Sequence, residues 1–441
     1  MTGDEPHYLM VAQSLAADGD LDVANNYARN DGARFGGSGT RPELHARVSR
    51  TGRTLPVHDL GLPVLLLPAY VAATSAARVP SDALLQRFRM NRGLFAYSLI
   101  SLLVICVSTA AAGVTIGALR ASGASSVHAN VIVAVAWLSP PILSNAFLVF
   151  PEPFALLVTA CTVALWTRQD RAWTWRESAT VAMLGALPWL HRKFALYALA
   201  LLLVLLWRRS TAVRALPLGR KVSIACAFLV LPALLAAWTL VEWGNLAGPL
   251  AIDRLPFSWS AFSHGIAGTV LDRENGLVWW APAYALLPAA WWMRRSWLWP
   301  WLIPIAALVI PSAAHDQWWG GFSPAGRFLV PLVPVFCLAA VPLAEHRLLR
   351  AAAVALLVPQ LLMAAYAWQH PRMLWPQGDG ENRVLAVLMP PLSAAYRAIP
   401  SFRTAPADAW APAAALFAGL VVVNAALAIA AGRDRRARIE V

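Results

Sequence analysis

The sequence predicts an all-α protein, a polytopic transmembrane helix bundle with an interfacial helix and outer-face loops. Hydrophobic residues make up 59% of the 441 and charged ones 13%, against about 45–50% and about 25% in soluble domains. Apolar runs near the roughly 20 residues that cross a hydrocarbon core of about 30 Å recur along nearly the whole chain. Short polar or arginine-bearing stretches separate them, as between membrane helices.

The predicted spans are roughly 94–119, 126–147, 151–167, 178–190, 193–207, 220–243, 277–293, 297–314, 326–344, 348–369 and 411–431, several of them short or broken by proline. They divide the chain into a first outer loop with amphipathic and interfacial helices (1–93), an N-terminal bundle (94–243) and an outer loop (244–276). A C-terminal bundle (277–369), a further outer loop (370–410) and a last helix with a basic cytoplasmic tail (411–441) follow.

Arginine placement sets the orientation. Arg168, Arg171 and Arg176; Arg208, Arg209, Arg214, Arg220 and Lys221; Arg294 and Arg295; Arg347 and Arg350; and Arg433, Arg435, Arg436 and Arg438 fall in alternate connections. Positive-inside bias makes those connections cytoplasmic and the longer polar segments external. The parity requires that residues 60–77, with Pro63 and Pro68, lie along the interface rather than cross. In the rival reading this stretch spans, and Arg78, Arg87, Arg89 and Arg92 face the cytoplasm. With the C-terminus inside, the N-terminus falls outside without a helix before it, so a first membrane helix is expected to be missing from this chain.

The net charge of +13 sits mostly in clusters beside apolar runs, which excludes a nucleic-acid partner. Cys106, Cys161, Cys226 and Cys337 all lie inside apolar runs, so neither a disulfide framework nor a close-spaced zinc motif is visible.

The strongest local signal is Gly3-Asp4-Glu5-Pro6-His7-Tyr8 ahead of a helical pattern. Adjacent carboxylates at the mouth of a membrane bundle can have a raised pKa and take a proton from a hydroxyl, and Asp4 is the candidate base. The structural alternative is that Asp4 and Glu5 cap the helix and favour its dipole. Glu152 stands between Pro151 and Pro153, either as a second site acid or as an ordinary helix-starting residue. Arg192-Lys193 lies at a connection that parity places outside, against the positive-inside trend. A phosphate would account for the pair, and so would snorkelling toward lipid head groups.

His315 through Arg327 joins aromatic, glycine and cationic residues before a span. Trp318 and Trp319 can pack on sugar rings and Arg327 can hold an anionic leaving group, although an interfacial tryptophan belt explains the Trp residues equally. Gly268–Leu277 reads as a structural turn carrying charges, with a substrate-facing surface as the alternative. His58-Asp59 offers a metal or hydrogen-bonding pair, but spacing defends no metal-ligand set.

The order of these parts resembles the GT-C class of polytopic glycosyltransferases, especially bacterial members related to protein mannosyltransferases and aminoarabinose transferases of lipid A. Asp4-Glu5 with Tyr8, Ala12 and Gly19-Asp20 is similar to that class's first outer loop, His58 through Pro63 to the lead into its interfacial helix, and Glu152 to its second outer acid. Residues 320–327 resemble a stretch before a late helix.

The resemblance implies a multi-pass protein of the bacterial inner membrane whose donor is a polyprenyl-phosphate-linked sugar. The acceptor would be a hydroxyl of a glycan, lipid or protein, transfer would invert the anomeric carbon, and the site would face outward. Asp4, aided by Glu5, would be the base; Glu152 would orient acceptor or sugar; Tyr8 and His58 would line the pocket; Arg192, Lys193 and Arg327 would stabilise the departing phosphate. No cofactor is required, though a divalent metal is compatible. The rival classes are a transporter or flippase of lipid-linked precursors, for which midplane charges and repeated halves are expected, and a non-catalytic envelope-assembly protein.

Overall fold

The computed structural model describes residues 3–36, 45–168, 172–251, 258–391 and 393–437. Arg171 and Arg438, two of the arginines used for orientation, lie outside them. The fold is an all-α polytopic bundle, and among the described residues the one sheet is a two-stranded antiparallel ribbon. Among the described residues, six helices are long and apolar enough to cross a membrane: Arg92–Ala121, Leu218–Trp243, Arg295–Ala313, Arg327–Glu345, Arg347–Gln369 and Trp410–Gly432.

The other predicted spans form short or broken helices. The run at 126–147 stops as a helix at Trp137, ahead of Ser139-Pro140-Pro141, because proline removes a donor and clashes with the preceding turn. The run at 277–293 is Leu277–Trp280, a 3-10 turn Pro282–Leu286 and Leu287–Met293, broken by Pro282 and Pro288. Glu152–Thr167, Trp175–Leu190 and Phe194–Arg208 are continuous helices of 16, 16 and 15 residues, and each rises only about 24 Å or less. Gly61–Ala76, the predicted interfacial helix, also has 16 residues.

Internal contacts divide the chain into two compact units. The first comprises residues 1–109, 147–155 and 171–256. Its Glu5–Gln13 helix packs against the Gly61–Ala76 helix, which in turn meets Trp175–Leu190. The antiparallel ribbon pairs Ala46–Val48 with Thr54–Pro56 in the register Ala46↔Pro56. Gly52 supplies the left-handed residue of its turn at φ +83°. Glu242, at the end of Leu218–Trp243, fastens this turn: its carboxylate accepts from Thr51 at 2.7 Å and from Arg53, and its backbone carbonyl accepts from the Arg50 amide at 2.8 Å. Trp175–Leu190 and Leu218–Trp243 approach so closely at Gly185 that a Cβ there would lie 2.5 Å from the Phe228 carbonyl.

The second unit comprises residues 110–146, 156–170 and 257–441. Val333–Glu345 packs against Ser126–Trp137, Leu287–Met293 and Arg347–Gln369, and Trp410–Ala437 lies along the last two of these. In a bilayer, backbone groups freed by a broken helix must find partners within the protein. Two polar side chains from apolar helices supply them. Gln360 accepts from the Ala283 amide at 2.9 Å, and Asn424 accepts from the Ala289 amide and donates to the Ala285 carbonyl, both at 2.9 Å. The Gly268–Leu277 turn is tied to the 370–410 segment through the buried Glu274 carboxylate, which accepts from the Gly378 amide at 2.7 Å and the Gly380 amide at 3.2 Å, and pairs with Arg403 at 3.3 Å.

Candidate functional site

A cluster of ionisable side chains in the first unit begins at the N-terminal helix. Asp4 occupies the cap position of Glu5–Gln13, and its backbone carbonyl accepts from the amides of His7 and Tyr8 at 3.1 Å each. Its side chain makes no cap hydrogen bond, so capping does not consume this carboxylate. Glu5 is also committed elsewhere: fully buried, it accepts from the Tyr97 hydroxyl and the Val149 amide, each at 2.8 Å. These two bonds anchor the start of the helix to Arg92–Ala121 and to the residues before Glu152.

The Asp4 carboxylate lies beside a group of histidines. The ribbon's register brings His45, just before the first strand, to His58, just after the second, and the Val57 amide donates to the His45 carbonyl at 3.0 Å. His45 Nδ1 and His58 Nε2 lie 2.9 Å apart, and Asp4 Oδ1 is 3.9 Å from the same His58 nitrogen. Donor atoms of Asp4, His45 and His58 all fall within 4.8 Å of one another, each residue half-buried. Spacing alone showed no such set; of its members the sequence reading singled out Asp4 and His58 but not His45. The available signal was the Ser49–Gly52 turn between two short β-prone stretches, which would pair the flanks of the hairpin.

Behind these three, His7 is buried and stacks on His45 with ring centroids 3.5 Å apart, while its Nδ1 meets the Tyr27 hydroxyl at 2.8 Å. Tyr8 is buried with its ring 5.3 Å from that of His58. Burial, reinforced by His45 and His58, depresses the His7 pKa to about 2. Burial and then His58 lower that of His45 to about 4. Both rings are therefore neutral near pH 7, where a desolvated imidazolium is disfavoured.

Beside the histidines runs a pair of buried acid–base contacts. Asp59 accepts from the Arg192 amide and from Arg192 Nε, both at 2.8 Å. Burial raises the Asp59 pKa, and Arg192 opposes the rise. The same guanidinium donates to the Ala247 carbonyl at 2.7 Å and to Thr239 at 3.3 Å. Lys193, next in sequence, donates to Glu152 at 2.5 Å, with both side chains largely buried. Glycine permits the close approach: a Cβ on Gly61 would sit 2.4 Å from the Trp189 carbonyl, where the Gly61–Ala76 helix meets the turn carrying Arg192. Asp4, Glu5, Tyr8, His58, Glu152, Arg192 and Lys193 thus all belong to one compact unit. Arg192 and Lys193 are each engaged by an acid of this chain.

Trp318, Trp319 and Arg327 belong to the second unit, where all three line a small crevice with Thr269 and Asn275. Trp318 closes on Gly268, whose added Cβ would lie 2.3 Å from the indole. Arg403 lies 4.5 Å over the Trp319 ring. The buried Arg327 opens a 3-10 turn, Arg327–Leu332, after the left-handed Gly326.

No protein-family model matches the chain, and no curated protein is similar to it. A crystal structure of ArnT from Cupriavidus metallidurans in the apo state aligns with 99% of this chain and 68% of that one, at 17% sequence identity and a TM-score of 0.46. A likeness of that degree assigns neither family nor activity to the chain.

Proposed function

We propose that this chain is a GT-C-like glycosyltransferase of the bacterial inner membrane, taking a sugar from a polyprenyl-phosphate donor to an acceptor hydroxyl on the extracytoplasmic face. The observation that carries the reading is the Asp4 carboxylate: it sits at a helix start, does not cap that helix, and is held among neutral imidazoles. A carboxylate so placed can accept the hydroxyl proton as the oxygen attacks the anomeric carbon. The bond from that carbon to the lipid phosphate breaks with its electron pair leaving on the phosphate, which inverts the configuration.

Glu5 and Tyr97 hold Asp4's helix in register; Tyr8 and His58 form the wall beside it. Glu152 and Lys193 orient acceptor or sugar, and Arg192, fixed by Asp59, offers positive charge to the leaving phosphate. Within the second unit, Trp318, Trp319 and Arg327 form an aromatic and cationic crevice suited to a sugar ring and an anion. Arginine placement along the chain supports the outward orientation.

The test is transfer of a radiolabelled sugar from a polyprenyl phosphate in membranes carrying wild type or Asp4→Asn. Removal of a general base is expected to lower turnover by about 10²–10⁴-fold. Equal transfer by the two proteins would remove Asp4 from the chemistry, and movement of labelled lipid across the bilayer without sugar transfer would favour a flippase.

A further inference from the structure

We propose that Asp4, His45 and His58 form a binding site for a zinc-class divalent ion. Their donor atoms come from three separate segments of chain: the start of the first helix, the entry to the ribbon and its exit. Two imidazole nitrogens and a carboxylate oxygen are a ligand set that zinc accepts, with a fourth position open to water or substrate. Metal–ligand bonds of about 2.0–2.2 Å put neighbouring donors of a tetrahedral site roughly 3.3–3.5 Å apart. The observed spacings of 2.9 Å from His45 to His58 and 3.9 Å from His58 to Asp4 bracket that value. Side-chain rotation that draws the three donors, now within 4.8 Å of one another, onto one ion completes the site.

The surroundings hold the three ligand-bearing residues in place. His7 stacks on His45 at 3.5 Å and is itself held by the Tyr27 hydroxyl at 2.8 Å, so the ring carrying Nδ1 is fixed from behind. The His45 carbonyl is fixed by the Val57 amide, and Asp4 is fixed through the anchored helix that follows it. Oriented ligands of this kind are what a metal site requires. The ion site stands apart from the transferase reading; only its use there rests on that reading. In that use the open position receives the acceptor hydroxyl and makes it more acidic, while the second Asp4 oxygen takes the proton.

The experiment uses the full chain purified in detergent, stripped with a chelator, loaded with zinc chloride and desalted, with bound zinc measured by mass spectrometry. Cobalt loading reports coordination through its visible spectrum. Wild type is expected to retain about one ion per chain. His58→Ala and His45→Phe should lose it, while His128→Ala, outside the cluster, should keep it. Phenylalanine at 45 preserves the stack on His7, and melting of each metal-free variant identifies the folded ones. No retention by wild type, or full retention by folded His45→Phe, overturns the site and leaves the paired histidines as a hydrogen bond alone. Zinc binding without sugar transfer would refute the transferase reading and keep the ion site; transfer by a chain that binds no zinc would do the reverse.

Discussion

Lys193→Met isolates the Glu152–Lys193 contact, the most buried ion pair beside the candidate site. The side chains are 1% and 11% exposed and 2.5 Å apart, so Glu152 has almost no water to fall back on once the ammonium is gone. Breaking a buried pair by removing one partner costs about 3–5 kcal/mol. Glu152 also begins the Glu152–Thr167 helix, where the dipole stabilises a negative charge by up to about 1 kcal/mol, which places the expected loss near 3 kcal/mol. Adding Glu152→Gln should recover most of it, because a neutral amide beside a methionine leaves no buried charge. The assay is reversible unfolding in mixed micelles followed by tryptophan fluorescence, arranged as a double-mutant cycle. A Lys193→Met cost below about 1 kcal/mol, or additive single-mutant effects, would refute the idea that this pair is desolvated and coupled.

Further outcomes follow from other contacts. Tyr97→Phe removes a hydrogen bond to the buried Glu5 carboxylate and should lower stability by about 1.5–3 kcal/mol, read in the same unfolding assay. Gly61→Ala places a methyl 2.4 Å from the Trp189 carbonyl; a cost of about 1–3 kcal/mol is expected, and an unchanged melting temperature would contradict the close approach. In metal-free buffer, stability should be complete above the unfolded histidine pKa of 6.5 and fall as pH drops toward about 4, because His45 is neutral in the folded protein while its unfolded counterpart takes up a proton. His7, with its pKa near 2, extends that fall to lower pH. His45→Phe should flatten the curve between pH 6.5 and 4 in a thermal melt series, and an unaltered slope would show that His45 does not carry it.

Much of the architecture was legible from hydropathy because a bilayer imposes one simple rule on a long helix. Arg92–Ala121, Leu218–Trp243 and Trp410–Gly432 overlap the predicted runs 94–119, 220–243 and 411–431, and a helical apolar run can satisfy its backbone within itself. The same rule misreads 126–147 and 277–293, where hydropathy continues through prolines that stop the helix. The corrective signal was present but indirect: Gln360 and Asn424, isolated polar residues in apolar runs, are the partners of the amides and carbonyl that the second break exposes.

At the site, the sequence by itself determined which residues carry charge, that Asp4-Glu5 precedes a helix, and that Arg192-Lys193 is an unusual cationic pair. Only the tertiary structure decided that Glu5 is spoken for by Tyr97 and Val149, that Asp4 is released from capping, and that His45 meets His58. It also decided that each of the two cations answers a buried acid, Asp59 or Glu152. The division has a physical origin. Hydrophobic periodicity is local and repeats along a helix, so it is written into neighbouring residues, whereas a contact between polar side chains 13, 41 or 92 residues apart depends on strand register and on how closely two backbones can approach.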